Sequence, residues 1–136
     1  MALPNGAGGY QLGDGNLNET TLGYSAAPVT YTANATAALT VADLEGGIIL
    51  YTQTNANNLQ LPLVAGVGGV DDRISSAKVG STFEFVVMST STGVGTLTVN
   101  TGWTLVGSGL TTASGFGALF RARKTGDGTY TCYRIG

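Results

Sequence analysis

Apolar residues recur with a period of two along most of the chain after residue 28. The clearest case is the run at residues 81–89, where Phe83, Phe85 and Val87 fall on one face. A period of two indicates a β-strand, because successive side chains of a strand point to opposite faces. Similar runs recur at spacings near the roughly 8–12 residues expected of sheets with many short strands. The pattern therefore predicts eight or nine short strands.

Two short helical elements are the only other predicted structure in this part. Thr40 and Asp43 have the spacing of an N-terminal cap, and Gly46 and Gly47 can end the helical turn between them. A second short helix is predicted over residues 71–77. No stretch is suited to the helices that usually connect parallel strands. The other candidate strands are residues 29–33, 48–54, 59–61, 95–100, 103–107, 110–113, 116–124 and 129–135.

These elements predict an all-β domain over residues 28–136, either an antiparallel β-sandwich or a jelly-roll-like barrel. Residues 48–51 are uninterruptedly apolar, which favours a central position for that strand. We expect less than about a fifth of helix, against an average near a third in globular proteins.

Residues 1–27 follow neither the strand period nor the helix period. They combine glycine and asparagine with isolated apolar residues. Disordered tails are usually poor in aromatic residues and rich in charge, unlike this segment. We therefore predict an extended N-terminal arm that lies on a neighbouring molecule, with a disordered tail as the alternative. The side chains expected to contact that neighbour are Leu3, Tyr10, Leu12, Leu17, Leu22 and Tyr24.

Charge is scarce in this chain. Charged residues make up 10 % of the sequence, compared with about 25 % in ordinary soluble domains, and residues 85–120 contain none. Because the cores of protein interfaces are depleted in charge, we expect other subunits to cover part of this surface. Trp103 and Phe116, within the uncharged stretch, are candidate contacts. A soluble surface rich in Thr and Ser is the alternative.

The C-terminal hairpin carries the main cluster of basic residues, on either side of a turn at residues 125–128. A two-residue loop would set Arg121 opposite Arg134, and like charges in opposing positions are destabilising. We therefore predict a four-residue loop that pairs Lys124 with Thr129. The arginines would pair with carboxylates of a neighbouring subunit or be solvated. The three that would share one face are Arg121, Arg123 and Arg134.

The residues needed for catalysis are poorly represented. The chain has no histidine, which removes the Ser-His and Cys-His mechanisms. Cys132 lies mid-strand and is expected to be a small buried apolar residue. Asp71 and Asp72 form the only adjacent acidic pair and are expected at a solvated helix start. We predict a protein with no catalytic residue, no metal site and no cofactor.

The chain resembles small virion proteins of tailed bacteriophages, particularly those of marine and cyanobacterial hosts, over about residues 30–136. Three segments carry the resemblance: LTVADLEGGIILYT with LQLPL, VGSTFEFVVMSTSTGVGTLTVNTGWTLVGSG, and FRARKTGDGTYTCYRIG. Such proteins are similar to capsid decoration, or cement, proteins. Those proteins are β-rich, often trimeric, and lie over junctions between major capsid protein subunits.

The resemblance implies a protein made in the host cytoplasm and located on the capsid surface of the virion. Its partners would be the major capsid protein and itself, as a homotrimer. The six basic residues do not form the basic face expected of a nucleic-acid binder, and we expect no membrane partner. The alternative is a carbohydrate- or receptor-binding β-domain of a head fibre or tail component, with Trp103, Tyr31 and Tyr51 in an exposed row.

Overall fold

The computed structural model of the chain describes residues 25–73, 75–109 and 115–136. Strands make up 42 % of these residues and helices 9 %, which confirms a mostly-β fold with little helix. The elements are β1 (Val29–Tyr31), β2 (Ala37–Ala38), α1 (Val41–Gly46), β3 (Ile48–Tyr51), β4 (Asn57–Gln60), α2 (Val70–Arg73), β5 (Thr82–Ser89), β6 (Gly95–Thr98), β7 (Trp103–Val106), β8 (Gly117–Gly126) and β9 (Thr129–Arg134). The strand predicted at 110–113 and most of the arm lie outside the described residues.

Two sheets are formed, and the first six strands alternate between them. The six-stranded sheet has the order β1-β3-β5-β8-β9-β7, and the three-stranded sheet has the order β2-β4-β6. Within each sheet these alternating strands are parallel. The chain therefore makes three successive coils, β1–β2, β3–β4 and β5–β6, and each coil adds one strand to each sheet.

The prediction of a wholly antiparallel arrangement is wrong for these coils. Antiparallel pairing joins β5 to β8 and β8 to β9, whereas β7 and β9 are parallel. Parallel neighbours need a long crossover connection, which is most often a helix. Here the chain crosses over through a strand of the other sheet instead, so the lack of long helices did not exclude parallel pairing.

One apolar core is shared by the two sheets. Tyr51 of β3 is fully buried, and a Cβ added to Gly95 of β6 would lie 3.1 Å from its ring. The ring therefore packs directly on the backbone of the other sheet. The largest fully buried apolar side chains are Tyr51, Tyr130, Phe85, Phe120, Ile49, Leu59, Leu61, Leu97, Val64, Val70 and Val87.

The capped helical turn predicted before β3 is present as α1. The Thr40 hydroxyl accepts a hydrogen bond from the Asp43 N–H (3.2 Å), and the Asp43 carboxylate accepts one from the Thr40 N–H (2.9 Å). Gly47 ends the helix in the left-handed conformation, with φ of 80°, which favours glycine. Val41 and Leu44 are thereby directed into the core.

Successive coils are also joined through their turns. The Asn34 side-chain oxygen accepts from the Thr54 N–H (3.0 Å), and the Gly93 N–H donates to the Gln53 carbonyl (3.1 Å). A Cβ on Gly93 would lie 2.3 Å from the Asn55 carbonyl oxygen. The turn between β5 and β6 can therefore lie against the turn between β3 and β4 only because residue 93 has no side chain.

The C-terminal hairpin differs from its prediction. Its loop has two residues, 127–128, and a bulge at Thr125 follows Lys124 on β8. The bulge shifts the register by one position, so Arg121 lies opposite Tyr133. Like charges are thus kept apart by the bulge rather than by the four-residue loop that we predicted.

Candidate interaction surface

The outer face of the six-stranded sheet follows from the alternation of side chains. In β5, Phe85 and Val87 are buried in the core, whereas Val86 and Met88 point the other way. The same alternation holds in β3 and β8, and the register aligns the outward residues of all three strands. The sequence shows this second apolar face only as unbroken apolar runs at residues 48–51 and 85–88.

The outward residues form a continuous apolar area, here called the apolar half of the outer face. Val86 lies in register between Ile48 and Leu119, and Met88 lies beside Leu50. Ile48, Met88 and Ile135 expose 41, 39 and 47 % of their surface. The Ile135 N–H donates to the Leu119 carbonyl (2.9 Å), which continues the area beyond β9. Its members are Ile48, Leu50, Val86, Met88, Leu119 and Ile135.

The rest of the same face is polar and charged. Arg121 of β8 forms an ion pair with Glu84, its partner across β5. Arg123 lies opposite Thr82. Arg121 therefore has a carboxylate partner within its own chain, at the boundary between the two halves.

Arg134 does not share that face, which corrects our prediction. It lies opposite the buried Phe120 and points to the same side of the sheet. Its guanidinium donates to the Ser108 carbonyl (3.4 Å) and to the Gly136 carbonyl (3.1 Å). The one-residue shift at the bulge causes this difference, because side chains alternate between faces.

The two aromatic residues predicted as contacts lie in different environments. Phe116 exposes 63 % of its surface, and its carbonyl accepts from the Ser89 N–H (2.9 Å), next to Met88. It is therefore available to a partner. Trp103 exposes only 7 %, and its indole N–H donates to the Pro62 carbonyl (2.7 Å). Trp103 belongs to the core, which corrects the expectation that it faces a neighbour.

The exposed aromatic row considered for a carbohydrate-binding site is not formed. Tyr51 is fully buried, and its hydroxyl donates to the Asn55 carbonyl (2.5 Å). The Tyr31 hydroxyl donates to the Asp43 carboxylate (2.5 Å), and burial together with that carboxylate raises the pKa of Tyr31 well above its usual range. With Trp103 also buried, these three rings cannot present a flat surface to a sugar.

A partly buried ion pair, missed in the sequence, joins α2 to the C-terminal hairpin. The Lys124 ammonium lies 2.5 Å from an Asp71 carboxylate oxygen and 5.4 Å from the centre of the Tyr130 ring. The other Asp71 oxygen accepts from the Gly128 N–H (2.7 Å). Asp71 is thus bound to the hairpin rather than solvated as predicted. The separation of 53 positions between Asp71 and Lys124 leaves no local sequence signal for this pair.

The pKa values of this pair shift in the directions expected of mutual stabilisation. Burial alone would raise the pKa of Asp71, but the hydrogen bonds from Lys124 and Gly128 and the charge of Lys124 outweigh it and lower the pKa. The hydrogen bond to Asp71 raises the pKa of Lys124. Both groups are therefore held in their charged forms.

The single cysteine is buried on β9. Cys132 has no exposed surface, and burial raises the pKa of its thiol to about 12. Since the thiolate is the reactive form, this residue acts as a small apolar side chain, as the sequence predicted. Within the described residues, no group of three or more His, Cys, Asp or Glu side chains could hold a metal ion.

One shallow pocket lies between the two helices and β5. Its volume is about 120 Å³, and Val41, Leu44, Val70 and Phe83 form its apolar lining. Glu45 and Glu84 complete the lining, paired with arginines Arg73 and Arg121. The pocket could hold a small apolar group.

The arm residues predicted as contacts, from Leu3 to Tyr24, lie outside the described residues. Neither described helix is long and apolar enough to cross a membrane. Comparison of the chain with protein-family models, curated proteins and solved structures found no match.

Proposed function

We propose that this chain is a structural virion protein, a capsid decoration protein that binds the outer surface of the major capsid protein lattice. The observation that carries the proposal is the apolar half of the outer face. Large contiguous apolar patches are rare on monomeric soluble proteins and mark sites of protein association. The resemblance to phage virion proteins supplies the identity of the partner.

The shape of the face supports contact with a broad protein surface. Three neighbouring strands present Ile48, Val86 and Leu119 in one row, and Met88 adds a flexible side chain that adapts to irregular partners. The Glu84–Arg121 pair at the boundary would fix the orientation of the partner through charge. We also infer that the two sheets form a sandwich, because Tyr51 of one sheet packs on Gly95 of the other.

The mechanism would be mechanical. Copies of the chain would bridge neighbouring capsid subunits and resist the outward pressure of packaged DNA. A stable interface needs about 1,600 Å² of buried surface, and a homotrimer would gain avidity by holding several lattice points at once. The arm would add further contacts, so a chain lacking residues 2–24 should fold but attach more weakly.

Replacement of Met88 by lysine tests the role of the face. Met88 exposes 39 % of its surface, so a lysine there can remain solvated in the free chain but would bury a charge in the interface. Particles assembled without the chain would be incubated with each variant and sedimented. We expect Met88→Lys to bind at least tenfold more weakly than the unmodified chain.

Val67→Lys is the matched control, since Val67 is 99 % exposed and lies in the loop between β4 and α2, outside the three strands of this face. It should bind as the unmodified chain does. Equal binding by Met88→Lys and Val67→Lys would reject this face as the contact. Absence of any added density in images of particles incubated with the unmodified chain would reject the decoration function itself.

A further inference from the structure

Strand β5 is longer than the strand beside it. β5 pairs with β8 from its first residue, Thr82, whereas β3 pairs only with Val86–Ser89. Among the described strands, none lies next to residues 82–85 on the side away from β8. The chain forms α1 directly before β3, so the neighbouring strand begins only level with Val86. The gap beside residues 82–85 is here called the notch of β5.

Backbone groups of β5 point into the notch. Successive residues of a strand direct their N–H and C=O groups to opposite neighbours. The Ser89 N–H donates to the carbonyl directly before β8 (2.9 Å), whereas the Val86 N–H donates to the Gly47 carbonyl on the other side (2.8 Å). By this alternation Thr82 and Glu84, both exposed, direct their N–H and C=O groups into the notch. No described backbone group bonds to them there.

The pocket between the two helices and β5 lies at the notch. Phe83, the residue between Thr82 and Glu84, packs towards the core and lines this pocket. An extended segment beside β5 would turn every second side chain to the same side of the sheet as Phe83. The pocket volume is about 120 Å³, and an apolar cavity of about 150 Å³ holds benzene. The pocket therefore has room for one aliphatic side chain.

The charges around the pocket are already compensated within the chain. The two Glu45 carboxylate oxygens each accept a hydrogen bond from Arg73 (3.0 Å), and the Glu84 carboxylate is paired with Arg121. A charged side chain entering the pocket would lose hydration without gaining a free opposite charge from these residues. The pocket therefore favours an uncharged aliphatic side chain.

The backbone groups select among the possible occupants. A small apolar molecule would fill the pocket but leave the groups of Thr82 and Glu84 without partners. A helix uses its own N–H and C=O groups internally. An extended peptide presents both an alternating row of these groups and a side chain directed into the pocket, so it complements the whole notch.

We propose that the notch of β5 binds an extended segment of a partner protein, which adds a short strand beside Thr82 and Glu84 and places one aliphatic side chain in the pocket. In this mode of recognition, backbone hydrogen bonds give affinity and the pocket gives specificity. The proposal does not depend on the proposed function, because the notch is separate from the apolar half of the outer face.

Glu84→Pro tests the backbone pairing, because it removes the N–H that points into the notch. Proline is tolerated where the N–H of a strand faces away from the ladder, and the pairing with β8 uses the neighbouring residues. Glu84→Ala is the matched control, since it removes the same side chain and ion pair but keeps the N–H. Equal melting temperatures of the two variants would show that both are folded.

The probe is the peptide acetyl-Ser-Thr-Leu-Thr-Ser-amide, titrated to millimolar concentration into the isotope-labelled full chain and followed by nuclear magnetic resonance. We expect saturable shifts of the amide signals of residues 82–85. Binding to Glu84→Pro should be at least about fivefold weaker than to Glu84→Ala, because one backbone hydrogen bond is lost. Equal binding by the two variants, or no saturable shift in the unmodified chain, would overturn the proposal.

Two altered probes test the same site without any substitution in the protein. A probe N-methylated at its three central amides should bind at least about fivefold more weakly, and a probe with aspartate in place of leucine should not bind. Equal binding of either altered probe would overturn the proposal. Shifts of the same signals with protein concentration alone would mean that a second copy occupies the notch, and would overturn it as well.

Discussion

The two ends of the stack of three coils differ in how many packing contacts and strand pairs hold them. At the hairpin end, Phe85 and Phe120 stack with ring centres 5.5 Å apart, and Lys124 and Asp71 join the hairpin to α2. At the other end, here called the open end, β1 and β2 are the outermost described strands of their sheets, and they pair through three residues and two. Packing and pairing on several sides at once stabilise the first end, whereas the described strands of the second end have one neighbouring strand in each sheet.

The difference implies that stability is unevenly distributed. Local opening costs little free energy where few apolar contacts and few backbone hydrogen bonds must be broken. The open end should therefore respond weakly to substitutions, and the hairpin end should determine the global free energy of unfolding. Four substitutions, three of them with a matched control variant, test this contrast and the contacts behind it.

The largest effect is expected at Phe120. Its ring is fully buried, so Phe120→Ala should lower the free energy of unfolding by about 3–5 kcal/mol. Val29→Ala, on a partly exposed residue of the open end, should cost about 1 kcal/mol or less. Urea unfolding followed by circular dichroism measures both. Similar losses in the two variants would contradict the contrast between the ends.

A substitution at Gly93 tests the contact between the turn that connects β3 to β4 and the turn that connects β5 to β6. A methyl group there would meet the Gln53 and Asn55 carbonyl oxygens at 2.5 and 2.3 Å, so Gly93→Ala should lower the free energy of unfolding by about 1–3 kcal/mol. Gly46→Ala is the control, because nothing lies within 4 Å of its added methyl. If thermal melting shows Gly93→Ala to be as stable as Gly46→Ala, the turns are not closely packed.

Asp71→Asn tests the ion pair to the hairpin. It removes the charge that faces the buried Lys124, and we expect the melting temperature at pH 7 to fall by roughly 5 °C. Because folding lowers the pKa of Asp71, its contribution is complete above its ordinary value of 3.8 and is lost as the pH falls through the lowered value. The variant and the unmodified chain should therefore converge in acid.

Asp72→Asn is the control for this substitution, since Asp72 is exposed and accepts only from the nearby Gly68 N–H (2.9 Å) among the described contacts. It should melt close to the unmodified chain at all pH values. A constant difference between Asp71→Asn and the unmodified chain down to pH 2 would show that the carboxylate charge is not what stabilises the hairpin.

The smallest effect at neutral pH is expected from Cys132→Ala. Folding raises the pKa of Cys132 from 9.0 to about 12, so the thiol stabilises the fold fully below pH 9 and its contribution is lost as the pH rises towards 12. The unmodified chain should lose up to about 1.4 kcal/mol more per pH unit than the variant in this range. If the free energy of unfolding falls equally in both chains from pH 8 to 11, the buried thiol does not cause the loss of stability in alkali.

The strand pattern was predictable where it is local. Thr40, Asp43 and Gly47 belong to one short helix and its caps, and the alternation of residues 81–89 is contained in one strand, so both were found from the sequence. The pairing of strands was not, since Val29 and Ile49 meet across 20 positions and a whole coil. The short strand β2 has only two residues and leaves no period to detect.

The sequence predicted the candidate surface only in part, because that surface also depends on contacts between residues far apart in the chain. The scarcity of charge indicated a covered surface, but the outward direction of Val86 and Met88 depends on which face of β5 meets the core. Trp103 was misjudged because its indole partner, the Pro62 carbonyl, lies 41 positions away. The buried Lys124–Asp71 pair likewise depends on tertiary structure alone.

The bulge at Thr125 has a consequence for changes in chain length. Thr125 is the extra residue of the bulge, so its deletion would leave Lys124 opposite Tyr130 and Gly126 opposite Thr129, and Arg121 would stay opposite Tyr133. The hairpin should therefore tolerate the removal of Thr125 as well as its substitution, because the bulge gives it one residue that can be lost without changing the partners of the others.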